Sequence, residues 1–124
     1  MTVKTIDYSG VALSSLCIVH CVLLPVAAST LPIAASIAEN ELFHKVLVLL
    51  AVVPAVLAFS RRSSSKFAPA IRSLGVMGIV TLLASAFVEA FHDIETGLTL
   101  FGAFSLASAH IWRIASTRPH PHQN

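Results

Sequence analysis

The sequence predicts an all-α protein: a four-helix transmembrane bundle with both termini on the cytoplasmic side. Of its 124 residues, 56% are hydrophobic and only 11% are charged, and the mean hydropathy is +0.82. Soluble domains contain about 25% charged residues, so much of this surface must face lipid. The apolar residues form four stretches near bilayer length, and the basic residues concentrate in one connection between them.

The four predicted spans form a single domain. The first covers about residues 9–37, the second 42–60, the third 71–91 and the fourth 95–115. A transmembrane helix needs about 20 apolar residues, and each stretch is close to this length or exceeds it. A cleaved signal peptide is the alternative for the first stretch, but its apolar run is longer than the about 7–15 residues of a signal sequence. Residues 116–124 are predicted to be a flexible tail.

Charge asymmetry predicts the orientation of the spans. The connection between the second and third spans contains Arg61, Arg62 and Lys66, and with Arg72 just beyond it holds half of the eight basic residues. Short loops rich in Lys and Arg remain on the cytoplasmic side. The other two loops are mainly acidic and are predicted to face outward. We therefore expect a multi-pass protein of a bacterial inner membrane.

Composition argues against several function classes. A net charge of +2 is too small to suggest nucleic-acid binding. The sequence has no phosphate-binding glycine loop of the ATPase type and no obvious set of hydrolytic residues. The chain is therefore predicted not to be an enzyme, and no organic cofactor is expected. Its predicted partners are the lipid bilayer and a metal ion, with a homodimer as a further prediction because four short helices enclose little space.

Ligand-type side chains inside the spans point to function, because burying them in hydrocarbon is costly. Cys17, His20 and Cys21 lie at positions i, i+3 and i+4 of the first span, on one helical face. Sulfur and imidazole together suit zinc, copper(I) and other soft ions. The alternative is that these residues only pack against neighbouring helices. A stripe of small and polar residues continues toward the N-terminus through Ser14, Gly10 and Asp7.

Further candidate ligands lie near the predicted outer surface and on the fourth span. Those near the surface combine imidazoles with carboxylates, and we call them the outer cluster: His44, Glu89, His92 and Glu95. They are predicted to collect a cation, although solvated loop residues are the simpler interpretation of the carboxylates. His110 lies almost three helical turns after Thr99, so it is expected to face the bundle interior if Thr99 does. Judged from their estimated depths in the membrane, His110 and the two cysteines could meet across the bundle.

The chain resembles the MerC family of mercuric-ion membrane proteins in the segment Ser14-Ser15-Leu16-Cys17-Ile18-Val19-His20-Cys21, which is followed by Leu24-Pro25. Further positions that resemble the family are His44, Glu95 with Leu98-Thr99 and Gly102, and Ala109-His110. The resemblance covers nearly the whole chain.

This resemblance implies a four-span inner-membrane protein that carries mercuric ions, or another soft metal, into the cytoplasm through cysteines of its first helix. The mercury-resistance members have a Cys-X-X-Cys-type pair in that helix, whereas this chain has Cys-X-X-His-Cys from Cys17 to Cys21. They also have a second cysteine pair in the cytoplasmic tail, where this chain offers only His120 and His122. Zinc and copper are therefore candidate ions beside mercury.

Three hypotheses of function follow from the sequence. In the first, the chain is a metal-ion transporter: the outer cluster captures the cation, Cys17, His20 and Cys21 receive it, and His110 assists its release inward. In the second, it is a membrane haem or redox protein in which His20 and His110 are paired axial ligands. In the third, it is a metal sensor or an assembly factor that binds an ion without moving it.

Overall fold

The computed structural model describes residues 3–38, 40–62 and 65–116, and this part of the chain is helical apart from short connections. In chain order the elements are α1 (Val3–Ala28), α2 (Pro32–Ala38), α3 (Glu41–Ser60), α4 (Ala68–Phe87), a 3-10 helix (Glu89–Ile94) and α5 (Glu95–Ser116). The predicted flexible tail, with His120 and His122, lies outside the described residues except for Ser116, the last residue of α5.

Four segments are long and apolar enough to cross a membrane, which confirms the predicted all-α class with four membrane helices. Within the described residues these segments are Lys4–Leu23, Glu41–Ser60, Ala68–Phe87 and Glu89–Ser116. At about 1.5 Å per residue, a helix of 20 residues extends about 30 Å, which is the thickness of the hydrocarbon core.

The first apolar stretch is divided into two helices. One span was expected over residues 9–37, whereas α1 ends at Ala28 and the short α2 begins at Pro32. Proline has no N–H to donate and disfavours a helical conformation in the residue before it, so one helix does not continue through this point. The backbone N–H groups of Thr30 and Leu31 donate to the Ala27 carbonyl near the end of α1, at 3.1 and 2.8 Å, and the Thr30 hydroxyl donates to the same carbonyl at 3.0 Å.

The third stretch also ends earlier than the expected residues 71–91. The last residue of α4 is Phe87, and Val88 has an extended backbone whose N–H donates to the Ala84 carbonyl. A single 3-10 helix then leads into α5. Because this connection is so short, α4 and α5 are antiparallel neighbours.

α5 is the central helix of the bundle. It packs most extensively against α4 and also against α1, while α3 packs against α1 and α4. Glycines permit the contact of α4 with α5: a Cβ at Gly78 would lie 2.9 Å from the Gly102 carbonyl oxygen. Small residues allow backbones of membrane helices to approach closely. Fully buried side chains of the core include Val48, Ala51, Ala55, Leu82, Ala103 and Leu106.

The outward faces of the bundle are apolar. Large hydrophobic side chains are exposed on all four long helices, for example Leu23, Val53, Val80 and Phe104. On a water-soluble protein such a surface would promote aggregation, whereas in a bilayer it is the ordinary lipid-facing surface. This arrangement explains why the chain needs so few charged residues.

The two ends of the bundle differ in charge. The start of α1, the end of α3, the start of α4 and the end of α5 lie together. We call this the basic end, and its residues include Arg61, Arg62, Lys66, Arg72 and Arg113. The opposite, acidic end includes Glu41, Lys45, Glu89, Asp93 and Glu95. The first residues of α1 and the last residues of α5 are therefore at the same end.

Gly78→Ala is expected to lower the stability of the bundle. The new methyl group would meet the Gly102 carbonyl, a backbone atom that cannot rotate away, so α4 and α5 must move apart. Overpacking of this kind costs about 1–3 kcal/mol, which should lower the denaturation midpoint measured by circular dichroism in detergent. Gly97→Ala is the control, because a Cβ there meets nothing within 4 Å. An unchanged midpoint for Gly78→Ala would contradict the close contact of the two helices.

Candidate metal site

Two free thiols lie inside the bundle on α1. Cys17 is 2% exposed and Cys21 is 9% exposed. The Cys17 thiol donates a weak hydrogen bond to the Leu47 carbonyl of α3, with 3.9 Å between sulfur and oxygen. Because the two cysteines are four residues apart on one helix, they lie on the same face. That face is turned toward α3 and away from lipid.

His20 lies at the edge of this face and is half-buried. The centroid of its ring is 5.2 Å from that of the Phe43 ring and 6.1 Å from that of the His44 ring. Both neighbours belong to the first turn of α3. His20 therefore lies between the cysteine face of α1 and the histidine of the outer cluster.

A carboxylate holds two histidines together at the acidic end. Glu95 Oε1 lies 3.2 Å from Nε2 of His44, and Glu95 Oε2 lies 3.4 Å from Nδ1 of His92. The side chain of His44 is 12% exposed, whereas that of His92 is 84% exposed. Glu95 thus connects a solvent-facing imidazole with one that faces the interior.

Two hydroxyls support the buried side of the outer cluster. The Thr99 hydroxyl donates to the Ser85 hydroxyl at 3.0 Å, and its oxygen lies 3.5 Å from Nε2 of His44. Ser85 in turn donates to the Leu82 carbonyl of its own helix. Hydrogen bonds to a side chain that ligates a metal commonly fix the orientation of that side chain. The contacts with Thr99 and Glu95 restrict the position of the His44 ring in the same way.

Glu89 lies in the wall of a cleft at the acidic end. The cleft has a volume of about 360 Å³, and its charged and imidazole lining residues are Glu41, Lys45, Glu89, His92 and Glu95. Lys45 forms an ion pair with Glu41, so its positive charge is directed to that carboxylate. A cation that enters the cleft therefore meets carboxylate oxygens and an imidazole.

The outer cluster extends inward to the thiols. Cys21 is close enough to both Glu95 and Cys17 for electrostatic interaction, and His20 lies beside His44. Within the described ranges, no group of three or more His, Cys, Asp or Glu side chains is arranged to hold a metal ion. The candidate ligands therefore form a series from the surface to the interior, and not one pre-formed site.

His110 does not join the cysteines as the depth estimate suggested. It is fully buried, as its helical spacing predicted, but its Nδ1 atom lies 2.9 Å from Oδ1 of Asp7 at the basic end. Its ring packs on Gly10, and its centroid is 4.9 Å from that of the Phe59 ring. Gly10 precedes Cys17 by seven residues, which is about 10 Å along the helix.

The position of His110 at the basic end also weakens the haem hypothesis. His20 lies beside His44 toward the acidic end, whereas His110 contacts Asp7 at the basic end. Two axial ligands must approach one iron from opposite sides, and these histidines lie at different levels of the bundle. The geometry therefore gives no support for His20 and His110 as a haem-binding pair.

Asp7 and Arg113 are polar partners that the sequence analysis did not assign to a site. Both are buried, and Nε of Arg113 lies 3.7 Å from Oδ2 of Asp7. A signal for this pair exists in the sequence. Asp7 precedes Gly10 by one helical turn, and Arg113 follows His110 by one turn, so each charge lies on an inward-facing stripe where it needs a partner.

The family model described as MerC mercury resistance protein matches residues 7–115. The chain belongs to the MerC family. The matched range includes all the candidate ligands from Cys17 to His110, together with Asp7 and Arg113. A search of the curated proteins finds no match. A search of the solved structures also finds none.

Membership in the MerC family places the chain among membrane proteins of mercury resistance, and it confirms the family that the first-helix segment indicated. The mercuric ion is a soft cation, and thiolate sulfur is the ligand that soft cations prefer. In this MerC protein the two buried cysteines are therefore the side chains best suited to the metal that the family handles.

Thr99→Val is expected to destabilise the bundle. Valine keeps the shape of threonine but removes the hydroxyl that lies between Ser85 and His44. Loss of such a hydrogen bond costs about 0.5–1.5 kcal/mol, measurable as a shift of the denaturation midpoint. Thr81→Val is the matched control, because the Thr81 hydroxyl donates to the Met77 carbonyl of its own helix. Equal losses in both variants would show that the bond between helices adds nothing.

Proposed function

We propose that this MerC-family chain transports soft metal ions across the membrane, with the mercuric ion as cargo and zinc or copper(I) as alternatives. The observation that supports this most is the position of Cys17 and Cys21, two free thiols one helical turn apart and turned into the bundle. Ligand-type side chains are costly to place in hydrocarbon, so their presence inside a membrane protein indicates function. These two also lie next to histidines and carboxylates that lead to the surface.

Capture begins at the acidic end. Glu89, His92 and Glu95 line the cleft there, and their carboxylates raise the local concentration of cations. His92 is largely exposed and is the first imidazole to meet an ion, while Glu95 also contacts the less exposed His44. Solvent-facing ligands thus come before buried ones along the route.

Transfer inward follows the ligand preference of a soft ion. Such an ion exchanges oxygen and nitrogen ligands for sulfur, so it passes from the outer cluster to Cys21 and Cys17, with His20 beside them. Each thiol releases its proton when its sulfur binds the metal, and Cys17 also gives up its hydrogen bond to the Leu47 carbonyl. A divalent ion held by both thiolates forms a neutral unit, which lowers the cost of its burial.

The direction of transport depends on the orientation of the bundle. We place the basic end in the cytoplasm and the acidic end outside, in the inner membrane of a bacterium, because basic residues in short loops favour the cytoplasmic side. Cargo that enters at the acidic end then leaves inward. His110 lies on the exit side of Cys17 in this orientation, and its role in release stays a prediction. Assembly as a homodimer stays a prediction.

Cys17→Ser/Cys21→Ser is expected to abolish mercuric-ion uptake. Serine has a similar size to cysteine but supplies no thiolate. Uptake of radioactive mercuric ion into vesicles should fall to the level of vesicles without the protein, and binding should no longer release protons. Ser73→Ala, on an exposed part of α4, is the control at a matched protein level in the membrane.

Two results would overturn this proposal. Undiminished uptake by Cys17→Ser/Cys21→Ser would exclude the thiols as the transfer site. Stoichiometric binding of mercuric ion by the wild-type protein, without uptake into reconstituted liposomes, would instead identify a sensor or an assembly factor.

Glu95→Gln is expected to weaken capture while transport continues. The substitution removes the charge between His44 and His92 but leaves both thiols in place. Half-maximal uptake should need about tenfold more mercuric ion, with little change in the maximal rate. Asp93→Asn is the matched control, since Asp93 lies at the acidic end but outside these contacts. A lower maximal rate at unchanged half-saturation would contradict a role in capture.

A further inference from the structure

A buried ionic group joins the helices at the basic end. Asp7 of α1 lies between His110 and Arg113 of α5, at 2.9 Å from Nδ1 of the histidine and 3.7 Å from Nε of the arginine. The three side chains are at most 5% exposed. Arg113 also donates to the Ala58 carbonyl of α3. The group therefore connects three of the four long helices, and we call it the ionic triad.

The buried charges of the ionic triad are an energetically unfavourable means of holding helices together, compared with apolar packing. Removing charges from water is energetically unfavourable, and well-packed apolar residues of similar size often stabilise at least as well. Glycines and small apolar side chains already join α4 to α5 without any charge. Polar contacts that can break and re-form are, in contrast, typical of elements that switch between two arrangements.

The His110 ring lies directly on the backbone of α1. A Cβ at Gly10 would lie 2.6 Å from Cδ2 of His110, so the ring fits only because this residue is glycine. The Nε2 atom of the ring is buried and has no hydrogen-bond partner in the part of the chain that the structure describes. Leaving a buried nitrogen unpaired is energetically unfavourable, and contact with water would remove this penalty.

A second unpaired polar atom lies between this ring and the thiols. The Ser14 hydroxyl is fully buried and also has no partner among the described residues. Ser14 follows Gly10 by four residues and precedes Cys17 by three, so all three lie on one face of α1. The helix face between the thiols and the ionic triad therefore contains polar atoms that this packing leaves unsatisfied.

We propose that Asp7, His110 and Arg113 form the inner gate of the transport path. Gly10 and Ser14 line the passage between this gate and the thiols. The gate is closed in this structure, because the His110 ring covers Gly10 and Asp7 holds α5 against α1. Separation of α1 from α5 at the basic end admits water to His110 and Ser14 and gives the cargo a polar exit.

This inference rests on the proposed transport function and adds the conformational step that such a function requires. A carrier must stay closed on one side while its cargo enters from the other. The outer cluster borders an open cleft, while the ionic triad is buried. The structure is therefore closed toward the basic end, whereas a cleft at the acidic end reaches Glu89 and Glu95.

Cysteine labelling in the absence of metal tests the gate. On a Cys17→Ser/Cys21→Ser background, Ser14→Cys places one thiol in the proposed passage. A membrane-impermeant maleimide is applied to right-side-out and to inside-out vesicles, so that access from each end is measured separately. Lys66→Cys on the same background identifies the vesicles that expose the basic end. With the gate intact, the Ser14→Cys reporter should react slowly from both ends.

Gly10→Ala is expected to hold the gate open, because its methyl group occupies the place of the His110 ring. Labelling of the reporter from the basic end should accelerate about tenfold, which corresponds to about 1.4 kcal/mol in the gate equilibrium. Labelling from the acidic end should stay unchanged. Asp7→Asn should have the same effect, since it removes the charge that contacts Arg113. Gly97→Ala, which adds a methyl group in open space, should change neither rate.

The sidedness of labelling separates gate opening from a general loss of packing. Faster labelling from both ends in both variants would overturn the inference, and so would unchanged labelling. If Gly10→Ala does not fold, as judged by its denaturation midpoint, Asp7→Asn decides the question alone. No metal enters this experiment. A negative uptake assay would therefore refute the proposed function, whereas a negative labelling result would refute only the gate.

Discussion

A polar group inside this bundle can find a partner only in the protein or in water that enters it, because the surrounding hydrocarbon offers none. This constraint explains how the side chains are distributed. Large apolar residues cover the outside, and most of the buried polar side chains in the described residues lie at two levels, with Ser85 and Thr99 beside the outer cluster and Asp7, His110 and Arg113 in the ionic triad. The thiols lie between these levels. The side chains suited to function are therefore also contacts that hold the helices together.

Both levels depend on α5. Glu95 and Thr99 at its start contact His44 of α3, while His110 and Arg113 at its end contact α1 and α3. Between these ends, glycine contacts attach α5 tightly to α4. The pair α4 and α5 thus has the most extensive helix contact in the described bundle. The contact of α1 with α5 at the basic end is polar, so separation there exposes groups that water can satisfy.

Hydropathy and the positions of the polar residues were sufficient to predict the fold class and the direction in which the main site residues face. Hydropathy indicated the four spans, and the cost of placing ligand-type side chains in hydrocarbon indicated that Cys17, Cys21 and His110 face inward, which their burial matches. The ends of the helices were less predictable. The break after Ala28 depends on how Pro32 and the preceding turn are placed, and an apolar run of residues 9–37 contains no charge to mark it.

The sequence by itself determined the all-helical membrane class, the resemblance to MerC proteins and the face of each helix on which the polar residues lie. Only the tertiary structure decided which of these faces meet at the same level. A shift of one turn, about 5.4 Å, changes every partner along a helix, and that shift is set by contacts distant in sequence. His110 lies on Gly10 and next to Asp7 because the glycine leaves room for its ring. No spacing within a single helix contains that information.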